Sequence, residues 1–135
     1  MLSLPKRDLL IVYVSPGYIY LLKGSKLRLF SKEKTVIDCF KGRRFQPDKE
    51  ENVLFRQSSH HIGIWIQPSF DESKNDIFGI SERVNGTIVD FKAFGDRFMI
   101  ILTEEGLISI QNYAKDGSEV QIIEEKQIKL YDNEM

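Results

Sequence analysis

The chain has 135 residues, of which 41% are hydrophobic and 29% are charged, a composition typical of a globular domain rather than a disordered chain. Its apolar runs fall far short of the roughly 20 residues of a membrane helix, and no secretion signal is recognisable. The formal net charge of −1 hides a basic half, with 12 Lys/Arg against 6 Asp/Glu in residues 1–66, and an acidic half, with 7 against 14 in residues 67–135.

Short apolar segments follow one another along the chain, and glycine marks many of the corners between them. In the clearest stretch, Thr87–Glu124, tight turns at 94–96, 104–106 and 115–117 separate four segments. Strands at such short, regular intervals indicate an all-β sandwich, barrel or propeller, with little helix. The predicted strands are 9–14, 18–22, 26–30, 35–40, 53–57, 62–67, 76–81, 87–93, 97–103, 107–112 and 119–124, with a last weak strand at Lys126–Tyr131.

Two polar segments, Lys41–Asn52 and Pro68–Asn75, are predicted to be loops because they are charged and lack an apolar period. The strands between them form three units, at about residues 8–40, 53–81 and 87–124. We interpret the chain as a single β domain or a propeller fragment made of these units.

The second strands of the three units start near Tyr18, Ile62 and Arg97, at intervals of 44 and 35 residues. Blades of WD-repeat propellers recur about every 40–45 residues. The first and third units resemble such blades, in particular through the pattern GDRFMIILTEEGLISIQN at 95–112. The Trp-Asp dipeptide of many blades is replaced by Leu29-Phe30 and Gln111-Asn112, and the Gly-His pair is absent. The resemblance implies a divergent propeller, of the kind found in large trafficking and nuclear-pore scaffolds.

Three blades do not close a ring, because propellers typically have about 4–8 blades, and an open ring exposes apolar edges. The chain is therefore part of a larger propeller, or pairs with another copy or a partner, or forms a compact sandwich or barrel instead. For the core we predict one face of the third unit and its counterpart in the first: Phe98, Ile100, Leu102, Ile108 and Ile110, with Val12, Tyr20, Leu27 and Leu29.

No residue pattern predicts catalysis, a metal or a cofactor. Adjacent His60 and His61 point to opposite sides of a strand and cannot readily share a metal. Cys39, the single cysteine, lies in an apolar segment, and its lack of a disulfide partner favours the cytoplasm or nucleus. The chain is therefore expected not to be an enzyme. The remaining enzymatic hypothesis is a site built from loop carboxylates or the two histidines.

A protein-interaction or scaffold module within a larger assembly is the leading functional hypothesis, with a protein partner or self-association and without membrane insertion. The alternative is a nucleic-acid-binding β domain that uses the basic half, and simple solvation of the charges is the third interpretation. Trp65 is an interface anchor if it faces outward, opposite Ile62, Ile64 and Ile66, and a core residue otherwise. The candidate partner-binding residues are Lys41, Arg43, Arg44, Phe45, Trp65, Glu104 and Glu105.

Overall fold

The protein is described here by a computed structural model that covers residues 1–14, 18–31, 45–71 and 76–128. The prediction of an all-β fold is confirmed. Apart from the three-residue 3-10 helix Pro5–Arg7, the regular structure of the described residues consists of strands. In this part of the chain no helix has the length and apolar character needed to cross a membrane.

The strands form three four-stranded antiparallel sheets, and within each sheet the strands are neighbours in chain order. The first sheet consists of β1 (Leu2–Leu4), β2 (Leu9–Val14), β3 (Tyr18–Lys23) and β4 (Lys26–Ser31). The middle sheet consists of β5 (Phe45–Pro47), β6 (Val53–Arg56), β7 (Ile62–Ile66) and β8 (Ile77–Ile80). The third sheet consists of β9 (Ile88–Phe94), β10 (Phe98–Thr103), β11 (Leu107–Tyr113) and β12 (Val120–Gln127).

The predicted strands that fall on described residues are close to the observed ones, whereas two short strands were missed. β1 and β5 are only three residues long, and β5 lies inside the segment predicted to be a charged loop. β12 continues to Gln127, so the first part of the predicted weak strand belongs to it. The strand predicted at 35–40 lies outside the described residues. The missed strands are too short to show a period of their own.

The central strands β6 and β7 of the middle sheet are covered on both faces because this sheet lies between the other two. One of its faces contributes Val53, Phe55 and Trp65 to an apolar cluster with the first sheet. Its opposite face contributes Leu54 and three isoleucines of β7 to a second cluster, shared with the third sheet. Accordingly, every residue of β7 is buried. Two apolar layers thus hold three sheets together.

The core prediction for the end sheets is wrong because it chose the other alternating set of residues along each strand. The buried positions of β10 are Met99, Ile101 and Thr103, which alternate with the predicted ones. In the first sheet Ile11, Ile19 and Leu21 are likewise buried next to predicted residues, and Leu4 and Leu9 complete the buried set. Both faces of these strands are apolar, and a shift of one residue exchanges the two faces completely. The predicted core residues therefore lie on the outer faces of the end sheets.

Each of the three sheets has a residue with positive φ in the turn between its first and second strand. Asp8, Glu51 and Arg97 have positive φ, at 50°, 59° and 60°, one or two residues before the second strand of their sheet. For residues other than glycine this left-handed conformation is uncommon, so its threefold recurrence marks equivalent positions. The positions are 43 and 46 residues apart. The three sheets are therefore structural repeats of one unit.

Candidate protein-interaction surface

Three of the seven candidate partner-binding residues, Lys41, Arg43 and Arg44, lie outside the described residues. Phe45 is half-buried in β5 and packs against the cluster between the first and middle sheets. Its apolar ring therefore contributes to the core. The structure does not bring Phe45 together with Glu104 or Glu105, which lie in the β10–β11 turn of the third sheet.

Trp65 is fully buried, so its interpretation as a core residue is confirmed and its interpretation as an outward-facing anchor is wrong. Its ring stacks on Phe30 with centroids 4.6 Å apart and on Phe78 with centroids 5.8 Å apart. Its indole N–H donates to a carboxylate oxygen of Asp76 over 3.3 Å. Burial raises the pKa of Asp76 above its ordinary value, while this hydrogen bond opposes the shift. The alternation of β7 placed Trp65 opposite the isoleucines, but the sequence did not show that a further sheet covers that side.

Glu104 and Glu105 are exposed in the turn between β10 and β11. The carboxylate of Glu105 accepts a hydrogen bond from the backbone N–H of Thr87 over 3.0 Å. Its carbonyl oxygen accepts one from the side chain of Gln127 over 2.7 Å. Glu105 therefore fastens the turn to the segment before β9 and to the end of β12.

The two histidines lie in the turn between β6 and β7, and each has a local partner. His60 Nδ1 lies 2.6 Å from the carbonyl oxygen of Gly86, and His61 Nδ1 lies 3.2 Å from Ser58 Oγ. In residues 1–14, 18–31, 45–71 and 76–128 no group of three or more His, Cys, Asp and Glu side chains is arranged to hold a metal ion. The contact of His60 joins the middle sheet to the segment that leads into β9.

The outer face of the first sheet, which we call the N-terminal face, is an exposed apolar surface. Because Leu9 and Ile11 point to the middle sheet, the alternate residues of β2 point away from it. Cross-strand pairing aligns Leu10, Leu22 and Leu27 in one row and Val12, Tyr20 and Leu29 in the next. Leu27 is 62% exposed and Leu29 39%. The eight residues of this face are Leu10, Val12, Val14, Tyr18, Tyr20, Leu22, Leu27 and Leu29.

The outer face of the third sheet, which we call the C-terminal face, has an apolar centre with charges along its two sides. The central residues lie on β10, β11 and the end of β9: Phe94, Phe98, Ile100, Leu102, Ile108 and Ile110. The rings of Phe94 and Phe98 stack with centroids 5.5 Å apart. On the outer strands the pairing places Lys92 and Glu124 beside the row of Ile100 and Ile110.

The strand-connecting turns at one end of the sheets are tied together by charged side chains. The guanidinium group of Arg7 donates to the carbonyl oxygens of Glu50 and Glu51 over 2.6 and 3.0 Å. Arg97 forms an ion pair with the carboxylate of Glu50 at 3.0 Å. Lys49 and Asp96 lie 2.6 Å apart, and this hydrogen-bonded ion pair lowers the pKa of Asp96 and raises that of Lys49. These contacts join the turns of the three sheets to one another.

A buried polar network lies beneath these turns. Asp48 accepts hydrogen bonds from the backbone N–H groups of Glu50 and Asn52 over 2.9 and 2.8 Å. Its second oxygen accepts from the Asn52 side chain over 2.9 Å and from the Tyr113 hydroxyl over 2.5 Å. Burial, followed by the contact with Asp48, raises the pKa of Tyr113 above its ordinary value. The carboxylate is thus satisfied by protein groups, and we assign the network a structural role.

Most residues of the two outer faces were named from the sequence as core residues, whereas five were missed: Leu10, Val14, Tyr18, Leu22 and Phe94. The apolar run of β2 contained a signal for Leu10, since a continuous run is typical of a strand covered on both faces. Comparisons of the chain with protein-family models, curated proteins and solved structures found no match. The geometry of the two outer faces is therefore the feature that bears on function.

Proposed function

We propose that this chain is a non-enzymatic protein-interaction module, built from three propeller-blade-like units, that acts as a scaffold part of a larger assembly in the cytoplasm or nucleus. The observation that carries this proposal is the pair of apolar outer faces on the end sheets. The N-terminal face has eight apolar side chains on three strands. A partner that covers them removes this surface from water, at a gain of about 25 cal/mol per Å².

Contiguous exposed apolar surface of this kind is often a site of interaction. Soluble monomers rarely expose apolar patches larger than a few hundred Å², and larger patches mark sites of interaction. Leu27, Leu29 and Phe94 are 62%, 39% and 45% exposed, and all three lie on these faces. The faces therefore support a docking role, and the partner must present a complementary apolar surface.

The repeat geometry supports another sheet as the surface that covers each face. Counted from the positive-φ residue, the third position is Ile11 in the first sheet, Leu54 in the middle sheet and Ile100 in the third. Ile11 and Leu54 each pack in the layer shared with the next sheet along the chain. By equivalence, Ile100 points to where a fourth sheet would lie.

The second position after the positive-φ residue gives the same result in the opposite direction. It is Val53 in the middle sheet and Met99 in the third, and each packs in the layer shared with the preceding sheet. In the first sheet the equivalent residue is Leu10, which lies on the N-terminal face. The sequence thus provides both ends of the stack with contacts for further sheets, as the blades of a propeller require.

Several cations of the basic half make contacts within the protein. Arg7 donates to backbone carbonyls of the β5–β6 turn. Arg28 donates to the carbonyl oxygens of Phe70 and Ser69 over 2.7 and 2.9 Å. These two guanidinium groups therefore contribute to intramolecular packing, and no described contact favours a nucleic-acid site over the apolar faces.

The test is a charge placed on each face. Leu29→Lys changes the N-terminal face and Leu102→Glu the C-terminal face, while Ile80→Lys and Ile80→Glu are controls on the exposed edge strand of the middle sheet. The wild-type chain is expected to associate as concentration rises, or, where it stays monomeric, to bind the apolar dye ANS. Light scattering measures association and dye fluorescence measures ANS binding. Whichever property the wild-type chain shows should be reduced by the face variants and retained by the controls.

A wild-type chain that is monomeric, does not bind the dye, and is as soluble as both face variants would contradict the proposal. Association that survives both face variants but is lost on adding salt or oligonucleotide would favour the nucleic-acid alternative instead. Circular dichroism of every variant confirms that the sheets remain folded.

A further inference from the structure

We infer that the partner of these two faces is a second copy of this chain, joined head to tail so that the N-terminal face of each copy packs on the C-terminal face of the other. This inference rests on the proposed function and deepens it by naming the occupant. The assembly has two equivalent contacts and contains six sheets, a number within the range of about 4–8 blades in closed propellers.

The N-terminal and C-terminal faces present the two complementary rows of a packing layer. The two packing layers within the chain are built in the same way. In each layer, one sheet contributes the row that contains the third position after its positive-φ residue. The next sheet along the chain contributes the row that contains the second position after its own positive-φ residue. The C-terminal face presents the first kind of row through Ile100 and its pair Ile110. The N-terminal face presents the second kind through Leu10 and its pair Leu22. Joining the two faces therefore repeats a contact that the chain already makes twice.

The two end sheets carry opposite net charges. The first-sheet segment, residues 1–31, has five Lys/Arg and one Asp, a balance of +4. The third-sheet segment, residues 88–127, has four Lys/Arg and eight Asp/Glu, a balance of −4. A head-to-tail contact places these opposite charges together, whereas a contact between two N-terminal faces places two +4 segments together. Complementary potentials favour encounter in the first orientation and disfavour the second.

The area of one outer face is small for a stable interface. A strand of six residues is about 20 Å long and strands lie about 4.8 Å apart, so a four-stranded sheet presents roughly 300–400 Å² on one face. A single contact of this size is well below the about 800 Å² per partner of a standard stable interface. Two contacts give roughly 600–800 Å² per copy, which is close to that size. The area therefore favours the assembly in which both faces are covered at once.

The test combines mass with complementation. Light scattering of the wild-type chain should show one species of twice 15.7 kDa that does not grow at higher concentration. Leu29→Lys and Leu102→Glu each place a charge in both contacts of their own dimer, so each is expected to dimerise at least about tenfold more weakly. In an equimolar mixture, one contact is free of substitutions and the other joins Lys to Glu. The mixture should therefore dimerise where neither variant alone does.

Each alternative has its own outcome. Growth beyond two copies indicates an open head-to-tail chain and overturns the closed pair. Dimers lost in only one of the two variants, with no rescue on mixing, indicate that like faces join and overturn the head-to-tail arrangement. A monomer that binds ANS on both faces also overturns the second copy as occupant but leaves the proposed function intact. If Leu102→Glu fails to fold, Ile108→Glu on the neighbouring strand of the same face provides the same measurement.

Discussion

The middle sheet and the end sheets have the same antiparallel order and the same alternation of apolar residues, but they differ in how much of that pattern is covered. All five residues of β7 are buried. β10 buries every second residue, although the residues between are equally apolar. The difference comes from position in the stack, since each end sheet has a neighbour on one side only among the described residues. The sequence of the end strands is thus suited to more sheets than the described residues form.

Leu54 of the middle sheet and Ile100 of the third sheet occupy equivalent positions, and the largest expected loss of stability is at Leu54, the buried one. Leu54→Ala removes a fully buried side chain between the middle and third sheets and should lower the free energy of unfolding by about 2–5 kcal/mol. Ile100→Ala changes the equivalent position on the outer face of an end sheet, where the side chain is only half-buried. Its effect should be smaller in dilute protein and should increase with protein concentration, because association covers the residue.

Urea unfolding of both variants over a range of protein concentrations checks this comparison. Ile110→Ala, at the cross-strand partner of Ile100, is a matched control that should show the same concentration dependence. Equal and concentration-independent losses for Leu54→Ala and Ile100→Ala would show that the two positions have the same environment and would remove the distinction between middle and end sheets.

The sequence predicted the strands better than it predicted which side of them is covered. Turns at glycine, such as Gly24 and Gly106 with positive φ, bound the strands and can be recognised locally. The phase of β10 could not be recognised, because Phe98–Leu102 is apolar throughout and both alternations are acceptable. Which of them is covered is decided by a sheet distant in sequence.

Polar residues on the inner face of β11 also made the buried side of this strand difficult to predict. Ser109 and Gln111 are fully buried. Gln111 compensates for burial by accepting a hydrogen bond from the backbone N–H of Glu82 over 2.8 Å and donating one to its carbonyl oxygen over 3.2 Å. A strand with Ser and Gln on one side and isoleucine on the other normally turns the isoleucines inward. The same reasoning identified the apolar residues of the candidate surface and assigned them to the core.

An intermediate effect is expected at the polar network between the middle and third sheets. Tyr113→Phe removes the hydroxyl that donates to Asp48 and leaves a buried carboxylate oxygen with one partner fewer. The expected loss in the free energy of unfolding is about 1–3 kcal/mol near neutral pH. No equivalent network joins the outer faces to anything in the described chain, so this loss should not depend on protein concentration.

The pH dependence of the same variant has a defined sign. Burial, together with Asp48, raises the folded-state pKa of Tyr113 above the ordinary value of 10.0. A raised pKa contributes stability that is fully present below the unfolded-state pKa and is lost as pH increases beyond it. The stability difference between wild type and Tyr113→Phe should therefore narrow above pH 10.0, as measured by urea unfolding at a series of pH values. A constant difference would mean that Tyr113 ionises equally in both states.

The smallest effect on stability, and the sharpest test of charge at the end sheets, comes from Lys23→Glu with Lys26→Glu. Both lysines are exposed and pair across the β3–β4 turn beside the N-terminal face. Surface substitutions of this kind change the free energy of unfolding by less than about 0.5 kcal/mol. They reduce the positive charge that attracts the acidic third sheet of another copy, so association should slow and lose most of its dependence on salt. Stopped-flow association at low and high ionic strength measures this effect, with Arg56→Glu, an exposed cation of the middle sheet, as the control, compared per unit of charge changed. An association rate that decreases equally in the control would attribute the effect to net charge and not to the first sheet.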